Sequence, residues 1–417
     1  MAKPLEIDGR VGEGGGQVVR IAIALAALTT QPIKIINIRG NRPRGGGLKT
    51  QHVTAIQWLA EATDAIFSGL SVGSTTLTFA PRLSPAEAKL PVSKDGVRRI
   101  VVGGSNASST MLILQAILPF LIFASGGPIA VEVRGGTNVD FSPSYEYLDQ
   151  VLLPTLEERW SVAVERKVIH RSWSLGPQSG TGKISLKLNP LPAGQKLVFK
   201  TPTLWKSPGS LETKSIDVSI LTPSEHHATL QNQLAQDLGD LYPGVDVNFV
   251  LSEDSGNISR WYILLAAHST SGTRRGRDIL TSMPKKAKSS TAFISQLSRK
   301  VCKSLYEELS EDNWVDEHLR DQIVCYQALS DGWSSMEPSG TEHSASLDSV
   351  ARDIQSLDLD KREARMRKEK SHEPFGKGSL HAQTARWVAS ELLPRLEIYN
   401  KGDHVKGVGF STSASSQ

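Results

Sequence analysis

The sequence of 417 residues contains only two cysteines, Cys302 and Cys325. Two cysteines cannot form the disulfide framework of a small secreted protein, and their spacing matches no usual zinc-binding pattern. We therefore expect a reducing compartment and no structural zinc. Hydrophobic residues make up 39% of the chain, which is enough for a substantial core and for two or three domains.

Long apolar runs and a strong net charge are also missing. The opening residues contain no apolar signal segment, and the apolar run 111–124 includes Pro119 and is too short to span a bilayer. The formal net charge is +4, from 47 Lys and Arg against 43 Asp and Glu, so a polyanionic partner is neither required nor repelled. We expect an intracellular protein that is neither secreted nor embedded in a membrane.

Segments typical of strands and helices alternate through the first half of the chain. A short strand near 5–7 precedes the glycine turn 12–16 and an apolar helix, and the β-branched run 33–38 precedes a second glycine turn and an amphipathic helix. A similar order returns between 103 and 136. This pattern predicts an α/β fold with an internal repeat, although chance recurrence in an α/β protein is the alternative.

Changes in composition predict the domain organisation. We expect a main domain whose first part covers 1–178, a smaller inserted α/β domain at 179–288, and a last part of the main domain at 289–400. A polar insertion at about 332–377 interrupts this last part, since it offers few apolar residues to a core. Residues 401–417 are predicted to be a tail.

The glycine turn 12–16 leads into a helix that carries Gln17 and Arg20. Glycine turns and helix N-termini bind phosphate through free backbone N–H groups. This turn is neither a Walker loop nor a GxGxxG dinucleotide fingerprint. Alone, such a turn is more often structural, but the carboxylate of Glu13 and the guanidinium of Arg20 beside it suit a nucleotide with its metal ion.

A basic cluster follows the next predicted strand. Arg39, Arg42 and Arg44 fall within six positions, and Gln51 and His52 come shortly after them. Guanidinium groups at the end of a strand can clamp phosphate with two hydrogen bonds. Taken by itself, the cluster is equally consistent with a solvated basic loop.

Ten histidines offer several candidate nucleophiles, and their spacing does not select one. His318 and Asp321 lie three residues apart on a predicted helix, which puts them on one face. His381 opens the final apolar helix, where the field of the helix favours a neutral imidazole, the form that attacks phosphorus. A lone histidine at the start of a helix is more often structural, so both histidines stay candidates.

Several of these features occur together and in a fixed order. They are Glu13 to Arg20, Ile38 to Arg42, Gln51-His52, Leu114-Gln115, Gly135 to Asn138, Asp321-Gln322 and Leu380 to Thr384. In this order the segments closely resemble the RNA 3′-terminal phosphate cyclase family, over nearly the whole chain. The resemblance implies repeated α/β units, each with two helices on a four-stranded sheet, together with a smaller inserted α/β domain.

The resemblance also implies a mechanism and its residues. His381 matches the nucleophile of the family, which takes AMP from ATP and passes it to an RNA 3′-phosphate before the 2′-hydroxyl closes a 2′,3′-cyclic phosphate. The residues expected to bind nucleotide or phosphate are Glu13, Gln17, Arg20, Arg39, Arg42, Gln51, Gln115, His318, Asp321 and Gln322. Glu13 is also the expected ligand of a divalent cation, magnesium or manganese. The expected partners are ATP and RNA with a 3′-phosphate end, and the family indicates a nuclear location.

The sequence departs from the family pattern at three places. Ser179, Gly180, Thr181 and Gly182 stand where relatives have a glycine triplet, and His318 stands where relatives have a tyrosine that lines the adenine pocket. The third departure is the polar insertion.

Two other functions compete with the cyclase reaction. One is a non-catalytic relative that serves as a ribosome-biogenesis factor and binds pre-rRNA complexes. Those relatives lack the nucleophilic histidine, so His381, Glu13, Arg39 and Arg42 favour an enzyme. The other is an enolpyruvyl transferase, which shares repeated α/β units but not the ordered motifs.

Overall fold

The first α/β unit follows the alternation of strand and helix predicted from the sequence. The computed structural model of the protein describes residues 3–43, 45–104, 108–177, 180–202, 205, 209–284, 289–311, 313–336 and 373–412. The first unit contains β1 (Leu5–Asp8), α1 (Gly16–Thr29), β2 (Ile33–Ile36), α2 (Thr50–Thr63), β3 (Ile66–Ser68) and β4 (Leu77–Ala80). Its sheet has the order β1-β2-β4-β3, with β1 parallel to β2 and the other neighbours antiparallel.

A second unit repeats this arrangement. It contains β5 (Arg98–Gly103), α3 (Thr110–Phe123), β6 (Ile129–Arg134), α4 (Tyr145–Tyr147), a π-helical turn (Leu148–Leu152), α5 (Leu153–Trp160), β7 (Val164–His170) and β8 (Lys183–Leu188). The order β5-β6-β8-β7 and the directions of its strands match those of the first sheet. The predicted repeat of α/β units is therefore confirmed.

A third sheet belongs to a separate core. Its elements are β9 (Thr213–Thr222), α6 (His227–Leu241), β10 (Asp246–Asp254), β11 (Trp261–Ser269), β12 (Arg274–Thr281) and α7 (Ser290–Leu309). The strands have the order β10-β9-β11-β12. Fully buried Leu230, Leu234 and Leu238 of α6 lie at four-residue spacing and share this core with Ile294 and Val301 of α7.

Both limits predicted for the inserted domain, 179 and 288, differ from the positions of these elements. β8 pairs with β6 and β7 in the sheet of the second unit, so the glycine- and serine-rich stretch before it is not a domain boundary. α7 extends the insert beyond 288, because its apolar face is buried in the core of β9 to β12. We propose 213–309 as the limits of the inserted unit.

A third unit is interrupted by this insert. It contains α8 (Glu317–Gln322), α9 (Val324–Leu329), β13 (Asp331–Ser335), α10 (Leu380–Leu392), β14 (Glu397–Tyr399) and β15 (His404–Val408). Strands β13, β14 and β15 pair as the second, third and fourth strands of the other units do. Val198 forms a parallel bridge to Asp331 of β13, which is the position of a first strand. The insert therefore lies between the first strand and the first helix of the third unit.

The polar insertion is shorter than the predicted 332–377. Residues 332–335 belong to β13 and pair with β15, and Met336 is fully buried. At the other end, the carbonyl groups of Phe375 and Lys377 accept hydrogen bonds from a buried arginine of α10. The remaining residues of the insertion, 337–372, lie outside the described part of the chain.

The predicted tail, 401–417, also begins later than expected. Strand β15 lies within it, and Val405 is buried in the third unit because the apolar alternation of this strand continues the sheet. Residues 413–417 lie outside the described ranges. None of the helices that the structure describes is long and apolar enough to cross a membrane.

Candidate active site

The glycine turn before α1 holds the carboxylate of Glu13 at the start of the helix. Glu13 Oε1 accepts a hydrogen bond from the backbone N–H of Gln17 at 2.9 Å. The backbone N–H of Glu13 donates to Oγ1 of Thr384 on α10 at 3.0 Å. The side chain of Glu13 is only 4% exposed. This turn is thus joined directly to the helix that carries His381.

A buried chain of hydrogen bonds runs from α1 through α3 to α8. Arg20 donates through Nη2 to Gln17 Oε1 at 2.6 Å and through Nε to Gln115 Oε1. Gln115 Nε2 donates to Asp321 Oδ2 at 3.3 Å, and Gln322 Nε2 donates to the same oxygen at 3.3 Å. Five of the residues predicted from the sequence therefore form one network.

Burial alters the proton affinities of the charged groups in this network. Burial lowers the pKa of Arg20 to about 10, although the carboxylates of Asp321 and Glu13 favour its charged form. Burial raises the pKa of Asp321, against the opposing effects of His381 and Arg20. At neutral pH, Arg20 still carries a full positive charge that water screens only weakly.

Arg39 and Arg42 lie beside the same glycine turn. Arg42 forms an ion pair with Glu13 and keeps 40% of its side chain exposed. Arg39 has a left-handed backbone with φ of 55° and donates to the carbonyl of Gly47 at 3.4 Å. Burial and the neighbouring charge of Arg42 lower the pKa of Arg39. Three guanidinium groups, counting Arg20, thus surround a position at the N-terminus of α1.

His52, which the sequence motif includes but which was not among the predicted site residues, also faces this turn. Its Nδ1 accepts a hydrogen bond from the backbone N–H of Lys49 at 3.0 Å, so the proton of a neutral ring lies on Nε2. A Cβ added at Gly16 would lie 2.6 Å from this Nε2. Burial, followed by the charges of Arg20 and Arg39, lowers the pKa of His52 well below its usual range.

Beside the turn, Gln17 carries a second buried donor that lacks a partner in the part of the chain that the structure describes. His52 Nε2 and Gln17 Nε2 are both buried without a hydrogen-bond acceptor among the described residues. Unsatisfied buried donors are costly unless a ligand or water completes them. Together with the free N–H groups of α1, they suit an anion such as phosphate.

His381 lies in the first turn of α10, whose N-cap is Ser379. Its Nδ1 lies 3.7 Å from Oε1 of Glu13, and its side chain is 50% exposed. His318 lies on α8 and packs edge-on against Tyr147, with ring centroids 5.9 Å apart. The structure therefore brings His381, and not His318, to the glycine turn.

An open cleft of about 600 Å³ joins the main domain to the inserted unit. Arg20, His318 and His381 line it on the main-domain side. Asp278 of β12 and Lys300 of α7 line it on the side of the insert. Burial raises the pKa of Asp278, and the nearby His318 opposes that effect. No sequence pattern indicated a role for Asp278 or Lys300, since their position in the cleft depends on how the inserted unit packs against the main domain.

Gln51 occupies the first turn of α2, half-buried and adjacent to His52. It stands outside the hydrogen-bond network described above, as does His318. The remaining predicted residues meet around Glu13 and Arg20. Thr384 ends the motif of α10, and its hydrogen bond to Glu13 gives the physical reason for its place there.

The residues present fit a divalent cation that is held partly by its substrate. Among the described residues, no group of three or more His, Cys, Asp or Glu side chains could hold a metal ion. Magnesium, however, is often bound by one or two carboxylates together with substrate phosphates. Glu13 supplies one such carboxylate beside the unsatisfied donors of the glycine turn.

The chain is similar to known proteins along most of its length. The family model described as RNA 3′-terminal phosphate cyclase matches residues 11–395. An RNA 3′-terminal phosphate cyclase of Hyperthermus butylicus is 33% identical, over 79% of this chain and 85% of its own. One of Methanopyrus kandleri is 32% identical, over 81% of this chain and 89% of its own. The chain therefore belongs to the RNA 3′-terminal phosphate cyclase family, and the curated relatives that carry this name are ATP-dependent enzymes of the ligase class.

Proposed function

We propose that this protein converts an RNA 3′-terminal phosphate into a 2′,3′-cyclic phosphate at the expense of ATP, through AMP bound covalently to His381. The observation that carries the proposal is the approach of His381 Nδ1 to within 3.7 Å of Glu13 Oε1. That carboxylate belongs to a glycine turn rich in unsatisfied donors and arginines. A nucleophile and a phosphate-binding turn thus lie side by side.

Three displacements make up the proposed reaction. Nε2 of neutral His381 attacks the α-phosphorus of ATP, the bond to the bridging oxygen breaks, and pyrophosphate leaves with the electron pair. An oxygen of the RNA 3′-phosphate then attacks the phosphorus of the adduct, and the N–P bond returns its electrons to His381. Finally, the 2′-hydroxyl attacks the 3′-phosphorus, loses its proton and displaces AMP. AMP is a far better leaving group than a phosphate oxygen, which is why adenylylation precedes ring closure.

Side chains in and around the glycine turn have three tasks in this scheme. Arg20, Arg39 and Arg42 offset the negative charge that accumulates as two polyanions meet, an effect worth several kcal/mol in a site with little water. The buried N–H of His52 donates to a phosphate oxygen and stays neutral while it does so. Glu13 orients the ring of His381 from the Nδ1 side, so that Nε2 faces the substrate.

A divalent cation completes the proposed set of cofactors. Glu13 would hold it together with phosphate oxygens of ATP. When bound, a magnesium or manganese ion would neutralise charge on those oxygens and favour attack at phosphorus. The fraction of protein that becomes adenylylated should therefore fall when the ion is removed with a chelator.

Labelling with ATP that carries a radioisotope on its α-phosphate tests the nucleophile. The wild-type protein should form an acid-labile, alkali-stable adduct, and His381→Ala should form none while it still binds ATP. His318→Ala should still be labelled, with ATP affinity weakened by about 1–2 kcal/mol of lost stacking. Labelling of His381→Ala, or its absence in His318→Ala alone, would show that the assigned nucleophile is wrong.

If the wild-type protein is never labelled, the result would favour the alternative function, a non-catalytic ribosome-biogenesis factor. Cyclisation of an oligoribonucleotide with a 3′-phosphate, followed by its resistance to phosphatase, measures the complete reaction. The nuclear location expected from the resemblance stays a prediction, and microscopy of the tagged chain in its own cells tests it.

A further inference from the structure

One wall of the cleft has no task in the proposed chemistry. This wall comes from the inserted unit and consists of residues 278–280 of β12 with Lys300, Val301 and Ser304 of α7. His381 lines the same cleft from the main domain. Any group bound against the insert wall is therefore held near the reacting atoms.

Buried polar contacts fix the insert wall in position. The carboxylate of Asp316, at the N-cap of α8, accepts a hydrogen bond from the backbone N–H of Gly276 in β12 at 2.7 Å. Tyr262 of β11 and Ser144 of the main domain share a hydrogen bond of 2.5 Å between their hydroxyl groups. Since these contacts exclude water, the two walls keep a fixed separation. The insert is thus part of the site, and its cleft-facing residues can select a substrate.

Lys300 is the exposed cation of this wall. Helical spacing puts Ser304 one turn further along α7, so that an ammonium group and a hydroxyl face the cleft together. Lys303 on the neighbouring face forms an ion pair with Glu307 at 3.6 Å. Lys300 has no carboxylate partner among the described residues. Its ammonium group is therefore available to a ligand.

An exposed aromatic ring lines the same cleft from the main domain. Phe141 is 51% exposed, in the loop between β6 and α4. A large apolar side chain that is exposed inside a polar cleft offers a surface on which a ligand can pack. An aromatic face and a cation in one groove form the usual combination for single-stranded nucleic acid, because bases stack on rings and phosphates attract ammonium groups.

We propose that the cleft between Phe141 and Lys300 binds the RNA nucleotides that immediately precede the reacting 3′ end. Lys300 and Ser304 contact a backbone phosphate, and Phe141 stacks on a base. This inference rests on the proposed function, since ATP and the RNA end must both reach His381 through this cleft. It assigns to the inserted unit the task of holding the RNA strand.

Binding of a fluorescent single-stranded oligoribonucleotide with a 3′-phosphate tests the lysine. Lys300→Ala should weaken binding at least tenfold, the size of one charged hydrogen bond. The salt dependence of log K should become shallower by about 0.7, the share of one phosphate contact in a single strand. Lys300→Arg should retain affinity, and Lys303→Ala, on the same helix but outside the cleft, is the matched control.

The aromatic ring is tested with the same oligoribonucleotide. Phe141→Ala should weaken RNA binding about tenfold. Phe141→Tyr should retain the affinity, because a base stacks on the face of the aromatic ring and tyrosine preserves that face. The slope with salt should not change, since no charge is lost. For both Ala variants, the loss in RNA affinity should exceed any loss in the rate of adenylylation by ATP alone.

Two results would overturn the inference. One is RNA binding by Lys300→Ala that is as tight as that of Lys303→Ala. The other is an equal loss of RNA affinity and adenylylation rate, which would assign this wall to ATP. A wild-type protein that binds the oligoribonucleotide but is never labelled by ATP would reject the proposed function alone, because the binding comparison between the variants stays valid.

Discussion

Gly16 is a residue of the glycine turn at which a single methyl group would disturb buried side chains of the site. An added Cβ would overlap Nη1 of Arg20 and come within 2.6 Å of His52 Nε2, and both side chains are buried. We expect Gly16→Ala to slow adenylylation at least tenfold and to cost about 1–3 kcal/mol of stability through overpacking. Single-turnover labelling and urea unfolding measure the two effects. Gly180→Ala is the matched control, because a Cβ there meets nothing within 4 Å.

His52 gives the stability a predictable dependence on pH. Its pKa in the folded protein lies below the usual 6.5, so between these two pKa values the unfolded chain binds a proton that the folded protein does not bind. The contribution of His52 to the free energy of unfolding is fully present above pH 6.5. It is lost as the pH falls from 6.5 towards the pKa in the folded protein, by up to about 1.4 kcal/mol per pH unit. His52→Asn retains an acceptor for Lys49 but does not titrate, so its unfolding free energy should fall less steeply. His170→Asn, at an exposed position, should keep the wild-type slope.

Arg39 and Arg42 are predicted to contact phosphate groups of ATP or of the RNA end. Replacement of either by Ala should cost about 1.5–3 kcal/mol of binding or of transition-state stabilisation. Cyclisation should then be at least tenfold slower while the melting temperature stays the same. Arg82→Ala removes an exposed ion pair with Asp64 in the same α/β unit and should leave the rate unchanged. Wild-type kinetics in Arg39→Ala and Arg42→Ala would assign both arginines to an ordinary surface loop.

Among the elements, α10 is the one that links His381, the proposed nucleophile, to the glycine turn. Thr384 accepts the hydrogen bond of the Glu13 N–H and donates to the carbonyl of Leu380. Thr384→Val keeps the shape but leaves the Glu13 N–H without its partner, at a cost of about 1–3 kcal/mol. We expect the adenylylation rate to fall more than ATP affinity does. Thr155→Val in α5 removes only a hydrogen bond to the π-helical turn that precedes its helix and should affect stability alone.

The helices that carry the site were predictable, and the cleft that they face was not. The start of α10 agrees with the apolar helix that was predicted to open at His381, and the structure adds Ser379 as its N-cap. The position of Lys300 depends instead on the docking of α7 and β12 against the main domain. Contacts such as that between Gly276 and Asp316 join residues from two units, and no local pattern encodes them. The family motifs identified the residues around Glu13 because such motifs depend on contacts between residues that are distant in the sequence. Hydrophobic periodicity depends only on local spacing, so it could not identify these residues.

At the scale of the whole molecule, both ends of the polar insertion meet at one residue. The backbone N–H of Met336 donates to the carbonyl of Asp403 at 2.7 Å, and Nζ of Lys377 lies 2.6 Å from Oδ2 of the same residue. Because the ends are held together by the fold, loop length should matter little to stability. Replacement of residues 337–372 by a short flexible linker should shift the melting temperature by a few degrees at most, measured by calorimetry. A large fall would show that the segment packs against the core.

The hydrogen bond between Glu13 and Thr384 joins residues that are 371 positions apart. At a synthesis rate of about 5–20 residues per second, roughly 20–70 s separate the appearance of the turn from that of its partner helix. The first two α/β units can fold on the ribosome during this interval, before His381, the proposed nucleophile, has been synthesised. By the proposed mechanism, a nascent chain that stalls before α10 cannot be adenylylated, so the order of translation itself delays the first turnover until the chain has passed α10.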